Sequence, residues 1–148
     1  MNDPRYTIRE YRGEDLEPAM AAWRNANALA HPFLSEEYVS QVEREIRDTY
    51  LPKSETYVLE EEGEVLGFIA LAGNEIGGLF LEPSKHGKGY GRAMVDHAVA
   101  IEGPLRVEVF RDNQIGCSFY ERYGFESVAD ERHEPSGAIV RKMAMAGA

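Results

Sequence analysis

A single cysteine, Cys117, stands among the 148 residues, so the chain forms no internal disulfide, and the composition fits a reducing compartment. No run of about eighteen apolar residues occurs, which excludes a hydropathic membrane helix. Basic residues are the scarcer sign: 16 Lys and Arg against 26 Asp and Glu leave a net charge of −10. A nucleic-acid binder needs a basic face for phosphate contacts, so that deficit argues against one. It favours, weakly, a cationic partner. Repeats, low-complexity tracts and linker-like stretches are lacking as well. Met1 to Arg5 carry no apolar stretch of a secretory leader, and a cytoplasmic location is expected. No His/Cys/Asp cluster has metal-ligand spacing, so no metal is expected. What is present is 43% hydrophobic residues, enough to bury one core, and one domain spanning 1–148 is the simplest reading.

Along the chain, Tyr6 to Glu10 reads as a strand and Asp15 to about Asn27 as a helix, with Leu16, Ala19, Met20 and Trp23 on one face. His31 to Leu34 reads as a loop. A second helix starts at Ser35 as N-cap, with Glu36 and Glu37 at the positive end of its dipole, and Pro52 closes it. Thr56 to Glu60 and Val65 to Ala72 flank the turn Glu61-Glu62-Gly63-Glu64 as a hairpin. A third strand follows from Glu75 to Leu81, where Gly77-Gly78 predicts a bulge or a close backbone approach. Beyond it come a helix, a strand at Leu105 to Val109, a short helix at Asn113 to Tyr123, and strands at Phe125 to Ala129 and Ala138 to Met145. The order β-α-α-β-β-β-α-β-α-β-β predicts an α+β fold around a mixed sheet.

The most informative stretch is Leu79 to Arg92. A strand stops at Pro83, and a turn then carries Gly87, Gly89 and Gly91 at alternate positions with Lys85 and Lys88 nearby. Met94, Val95, Ala98 and Ile101 follow at helical spacing. Strand, glycine turn and helix amino terminus make an anion cradle, because successive backbone N–H groups point at one ligand and the helix dipole favours negative charge. A Walker A loop needs Gly-Lys followed by Ser or Thr, which Gly87 to Arg92 does not supply. A dinucleotide fingerprint needs a third glycine where Arg92 stands. Neither of those readings fits.

The motif His86-Gly87-Lys88-Gly89-Tyr90-Gly91, preceded by Leu79-Phe80-Leu81-Glu82-Pro83, resembles the acyl-CoA loop of the GNAT superfamily of N-acetyltransferases. That loop reads Gln/Arg-x-x-Gly-x-Gly/Ala, and only His86 departs from it. A second block, Asn113 with Phe119-Tyr120 and Tyr123-Gly124-Phe125, is also similar to the family. The resemblance implies a mostly antiparallel, twisted sheet of about seven strands with helices on both faces, splayed where acetyl-CoA lies. It implies direct transfer of acetyl from acetyl-CoA to a primary amine in a ternary complex, releasing coenzyme A. The acceptor is then a small amine or a protein amino group. A non-catalytic acyl-CoA sensor is the alternative, against which the intact Tyr120 and Asn113 argue.

By the same resemblance, the Leu79 N–H is the oxyanion donor, and Phe80 and Leu81 bind pantetheine together with Asn113 and Phe119. His86, Gly87, Lys88, Gly89, Tyr90, Gly91 and Arg92 surround the pyrophosphate. Tyr120 matches the general-acid tyrosine. Its ordinary pKa of about 10 makes it a better hydrogen-bond donor than acid toward a thiolate whose conjugate acid lies near 8.5. The attacking amine also needs a base, because stripping a lysine-like ammonium at neutral pH costs roughly 4 kcal/mol. Glu75, eleven positions before His86, is the first candidate for that role. Glu108 and His31 are alternatives, and with Phe33 they are assigned to the acceptor site. Cys117 reads as a small core residue. His86 is the loop's one side chain that ordinarily titrates near neutral pH.

Overall fold

The structure is a computed structural model, and it describes residues 5–148. The reading of a missing leader rests on residues 1–4 and so lies mostly outside the described residues. Among the described residues there are seven strands: β1 Tyr6–Glu10, β2 Glu55–Glu61, β3 Glu64–Ala72, β4 Glu75–Leu81, β5 Arg106–Phe110, β6 Glu126–His133 and β7 Ala138–Ala144. They form one sheet in the order β1-β2-β3-β4-β5-β7-β6. All neighbours are antiparallel except β4 and β5, which are parallel. The helices are α1 Leu16–Ala30, α2 Glu36–Glu45, α3 Tyr90–Glu102 and α4 Gln114–Tyr123.

Two buried clusters lie on opposite faces of the sheet. Ala19, Met20 and Trp23 of α1 pack with Val58, Phe68 and Ala70 on one face. Met94, Val95 and Ala98 of α3 pack with Leu59, Ile69 and Leu71 on the other. Trp23 is almost fully buried and meets Phe80 edge-on at 6.5 Å. Replacing such a residue with Ala costs about 3–5 kcal/mol. Between β1 and α1, Asp15 is buried and takes a bidentate pair of bonds from Arg9 at 2.9 and 3.0 Å plus the Arg12 N–H at 2.8 Å. The Arg9 guanidinium holds its carboxyl below the usual range.

Ser35 caps α2 as the sequence predicts, its Oγ accepting the Tyr38 N–H at 3.1 Å. Before Pro52 the helix widens into a π-helical segment, Ile46–Tyr50, and a last turn, Leu51–Lys53, includes the proline. Glu62 and Gly63 both take positive φ in the β2–β3 turn, the conformation that suits a tight hairpin. β6 extends past the predicted Ala129 because its pairing with β7 continues to His133 opposite Ala138. It is an exposed edge strand, and Glu126, Asp130, Glu131 and Arg132 discourage pairing with another chain.

The predicted bulge in β4 is real. Ala70 pairs with Gly78 and Leu71 with Ile76, which leaves Gly77 as the extra residue. One extra residue inverts the side-chain alternation. Ile76 before it and Leu81 after it therefore reach the same core cluster, whereas Phe80 packs against the other. β4 pairs with β5 only at Glu75 with Arg106 and Ile76 with Val107. Past the bulge the two strands part, and the opening between them is the site.

Candidate active site

The opening is a cavity of about 520 Å³, within the size range of small-molecule sites. The open half of β4, from Gly77 to Leu81, forms its floor, and Val107 to Phe110 of β5 form the facing wall. Past Ile76 the β5-facing edge of β4 has no partner strand, so its backbone polar groups there are available to a ligand.

One end of the cavity is built mainly from backbone. Gly87 and Gly89 have φ of +81° and +85°, and a Cβ added to either would meet open space. Gly89 is the N-cap of α3, so the loop delivers the first unpaired N–H groups of a 13-residue helix to this end. Arg92 lines the cavity here, its guanidinium 4.8 Å from the centre of the Tyr123 ring, while the Tyr123 hydroxyl donates to Asp96 at 2.5 Å. Arg122 also contributes to the lining. His86 is exposed, with Nε2 3.2 Å from the Leu81 carbonyl oxygen. A carbonyl only accepts, so Nε2 carries the hydrogen, and His86 ties the loop back to the end of β4. The loop's departure from the family motif is thus a structural tie. Lys85 supplies no free charge, being paired with Glu61 at 3.0 Å. Glu61 also accepts from the Tyr90 hydroxyl, which turns Tyr90 away from the cavity.

The other end is built from side chains. Glu108 is the only carboxylate lining the cavity among the described residues. Phe110 packs edge-on against His31 at 5.1 Å, Phe33 at 5.8 Å and His133 at 5.8 Å. Phe33 stands behind His31 and outside the lining. Midway, Phe119 and Tyr120 of α4 face the floor, and a Cβ on Gly91 would come within 3.2 Å of the Phe119 ring. Tyr120 is buried, and desolvation pushes its pKa well above the ordinary range. It stays protonated and keeps its hydrogen to donate.

Asn113 and His31 meet inside the cavity, although 82 positions separate them. Asn113 caps α4, its Oδ1 accepting the Gly116 N–H at 2.8 Å. Its Nδ2 lies 3.1 Å from His31 Nε2, and His31 Nδ1 lies 2.7 Å from Asn27 Oδ1. Asn27 and Asn113 are both buried. Gly116 is required here, because a Cβ would fall 2.6 Å from Asn113 Nδ2 and 3.0 Å from a Val109 methyl. Burial pulls the pKa of His31 down to about 4, so the ring is neutral at physiological pH.

Of the residues assigned from the sequence, Leu79, Phe80, Leu81, His86, Gly87, Gly89, Gly91, Arg92, Glu108, Asn113, Phe119, Tyr120 and His31 line the cavity. Lys88 and Tyr90 do not, and neither does Phe33. Glu75 does not either: it sits on the paired end of β4, before the bulge, where β5 still closes the gap. The geometry gives no support to Glu75 as base. Asn27 and Phe110 went unassigned from sequence. Asn27 stands four residues before His31 and one helical turn away, a spacing that is visible in the chain, but its significance depends on Asn113. Cys117 is buried and makes only long contacts from Sγ to the Phe110 and Arg111 carbonyls, as a core cysteine does.

The profile described as "Acetyltransferase (GNAT) domain" matches residues 52–127, which hold β2 to α4 and most of the cavity. The peptidyl-lysine N-acetyltransferase YjaB of Escherichia coli (strain K12) is 33% identical over 121 residues, 81% of this chain and 82% of that protein. The chain belongs to the GNAT family of acetyltransferases. YiaC, a second peptidyl-lysine N-acetyltransferase of the same organism, is 30% identical over 122 residues, covering 82% and 84% of the two chains. The solution structure of apo-form YjaB superposes with a TM-score of 0.86 over 97% of this chain and 99% of that one, at 29% identity. The PaiA N-acetyltransferase of Thermoplasma acidophilum, solved in complex with coenzyme A, gives 0.76 at 25% identity, over 92% and 97%. The expected GNAT fold, with its seven-stranded sheet and helices on both faces, is therefore present.

Proposed function

We propose that residues 1–148 act as one domain that transfers the acetyl group of acetyl-CoA to the side-chain amine of a lysine in a protein or peptide, by direct attack in a ternary complex. The observation that carries this reading is the polarity of the cavity. Its backbone-lined end, with Arg92 and Arg122, suits an anion, and its other end holds one carboxylate, Glu108, for a cation. The names of YjaB and YiaC support lysine in a polypeptide as the acceptor, and the coenzyme A bound to PaiA supports the donor. The donor fits the residues present, because the glycine cradle opens on space that a Cβ would fill.

The glycine loop and Arg92 hold the pyrophosphate, while the free edge of β4 and Asn113 hold the pantetheine arm. Glu108 attracts the ammonium of the acceptor and accepts the proton that leaves it, a deprotonation that costs roughly 4 kcal/mol at pH 7.4 and forms part of the barrier. The amine nitrogen then bonds to the thioester carbon as the carbon–sulfur bond breaks, and the nitrogen's surplus proton leaves to the departing thiolate or to solvent. The Leu79 N–H stabilises the negative charge that grows on the carbonyl oxygen. Tyr120 donates a hydrogen bond to the departing thiolate, a role its raised pKa favours over full proton transfer.

The test is calorimetry with acetyl-CoA together with thiol release across a panel of lysine peptides, polyamines and free amino acids. Peptide-dependent release is expected. Binding without release for any amine would replace this reading with that of an acyl-CoA sensor, and absence of binding would end both.

A further inference from the structure

The protons of the Asn27–His31–Asn113 chain are fixed by a single backbone group. The Gly116 N–H only donates, so the Asn113 atom that meets it at 2.8 Å is the amide oxygen. The Asn113 amide nitrogen therefore faces His31, and since it too only donates, His31 Nε2 accepts. A neutral imidazole with Nε2 unprotonated carries its hydrogen on Nδ1, which donates to Asn27 Oδ1 at 2.7 Å. Both ring nitrogens are occupied within the protein. His31 is thus not free to take a proton from the acceptor amine.

We infer that His31 is a positioning residue: it orients the Asn113 amide toward the cofactor arm and links the acceptor-side helix α1 to the cofactor-side helix α4. This rests on the proposed role of Asn113 toward pantetheine. One hydrogen of Nδ2 is spent on His31, which directs the second, while Oδ1 is spent on the α4 cap. The groups packed on His31 are uncharged: Asn27 from α1, Phe33 from the following loop, Phe110 from β5 and Asn113 from the start of α4. The other titratable groups lining this part of the cavity are Glu108 and Tyr120. Protonation of His31 would turn Nε2 into a donor facing a donor and break the link. Burial among neutral groups prevents this down to a pH of about 4.

Three variants of the full chain test the inference, with circular dichroism used to verify the fold of each. His31→Phe keeps the ring packing and removes both nitrogens, and acetyl-CoA affinity is expected to fall about tenfold, the effect of one well-made hydrogen bond. His31→Gln, whose amide oxygen can accept from Asn113, is expected to recover most of that loss. Asn27→Asp places a carboxylate against Nδ1 and raises the His31 pKa. The acetyl-CoA affinity of this variant divided by that of the wild type, measured by calorimetry at each pH between 6 and 8, then acquires an acidic limb that follows the His31 NMR titration. A His31→Phe enzyme that binds acetyl-CoA within twofold of wild type overturns the inference. So does a flat Asn27→Asp profile, whether His31 titrates near 7 or is unmoved, because the first disconnects the ring from Asn113 and the second disconnects it from residue 27. Failure of the acetyltransfer reading is distinguishable, since the wild type itself would then not bind acetyl-CoA.

Discussion

The two ends of the cavity are made of different material. The end with Gly87, Gly89 and the start of α3 recognises through backbone N–H groups, and its glycines exist to keep side chains out of the way. The end with Glu108, Phe110, His31 and Asn113 recognises through side chains that three separate elements, the end of α1, β5 and the start of α4, bring together. A backbone site tolerates substitution wherever the conformation survives, which is how His86 can stand in the loop and bond the Leu81 carbonyl. A side-chain site depends on each atom's position, so its single changes should be the more damaging.

The most severe expected break is Gly116→Ala. The new Cβ displaces the Asn113 amide from 2.6 Å and presses on Val109, so both ends lose alignment. Turnover is expected to fall at least a hundredfold, with a loss of about 1–3 kcal/mol from overpacking, read by steady-state kinetics and thermal unfolding. Tyr120→Phe removes the donor at the junction of the two ends, and a drop in kcat of roughly 10- to 100-fold is expected with the acetyl-CoA Kd within a factor of two. Near-wild-type turnover would remove Tyr120 from the chemistry. Glu108→Gln should act on the acceptor end alone. Its signature is a KM for the amine about tenfold higher together with a lower kcat, at an unchanged calorimetric Kd for acetyl-CoA.

Stability against pH probes the same acceptor end. His31 titrates near 6.5 when unfolded and near 4 when folded, so acidification favours the unfolded chain. Its contribution is fully present above about pH 6.5 and is lost as pH falls through that window toward 4, about 2 kcal/mol between pH 7 and 4.5. His31→Phe should flatten the denaturation midpoint over that range, and an unchanged slope would contradict the assignment. The least effect is expected from Glu75→Gln, whose kcat and KM should stay within twofold because Glu75 lies on the closed half of β4. A loss beyond tenfold would mean that the splay begins earlier than the pairing indicates.

The backbone-made end was legible in the chain because its requirements are local. Three glycines, a proline, a strand and a helix sit within fourteen residues, and their spacing alone excluded Walker A and dinucleotide loops. The element order and the Gly77 bulge were equally local, resting on hydrophobic period and turn chemistry. Glu75 illustrates the limit. Sequence distance from His86 placed it near the reaction, but the bulge begins the opening one residue beyond Ile76, leaving Glu75 where β5 still pairs. The roles of Lys85 and Tyr90 turned on Glu61, which comes from a different strand.

The sequence by itself determined the strands, helices, caps and the anion cradle, since each depends on residues a few positions apart. Only the tertiary structure decided which carboxylate reaches the cavity, and that His31 meets Asn113 across 82 positions with its hydrogen on Nδ1. Hydrogen-bond direction depends on atoms within about 3 Å, and chain spacing does not encode contacts at that range between distant elements.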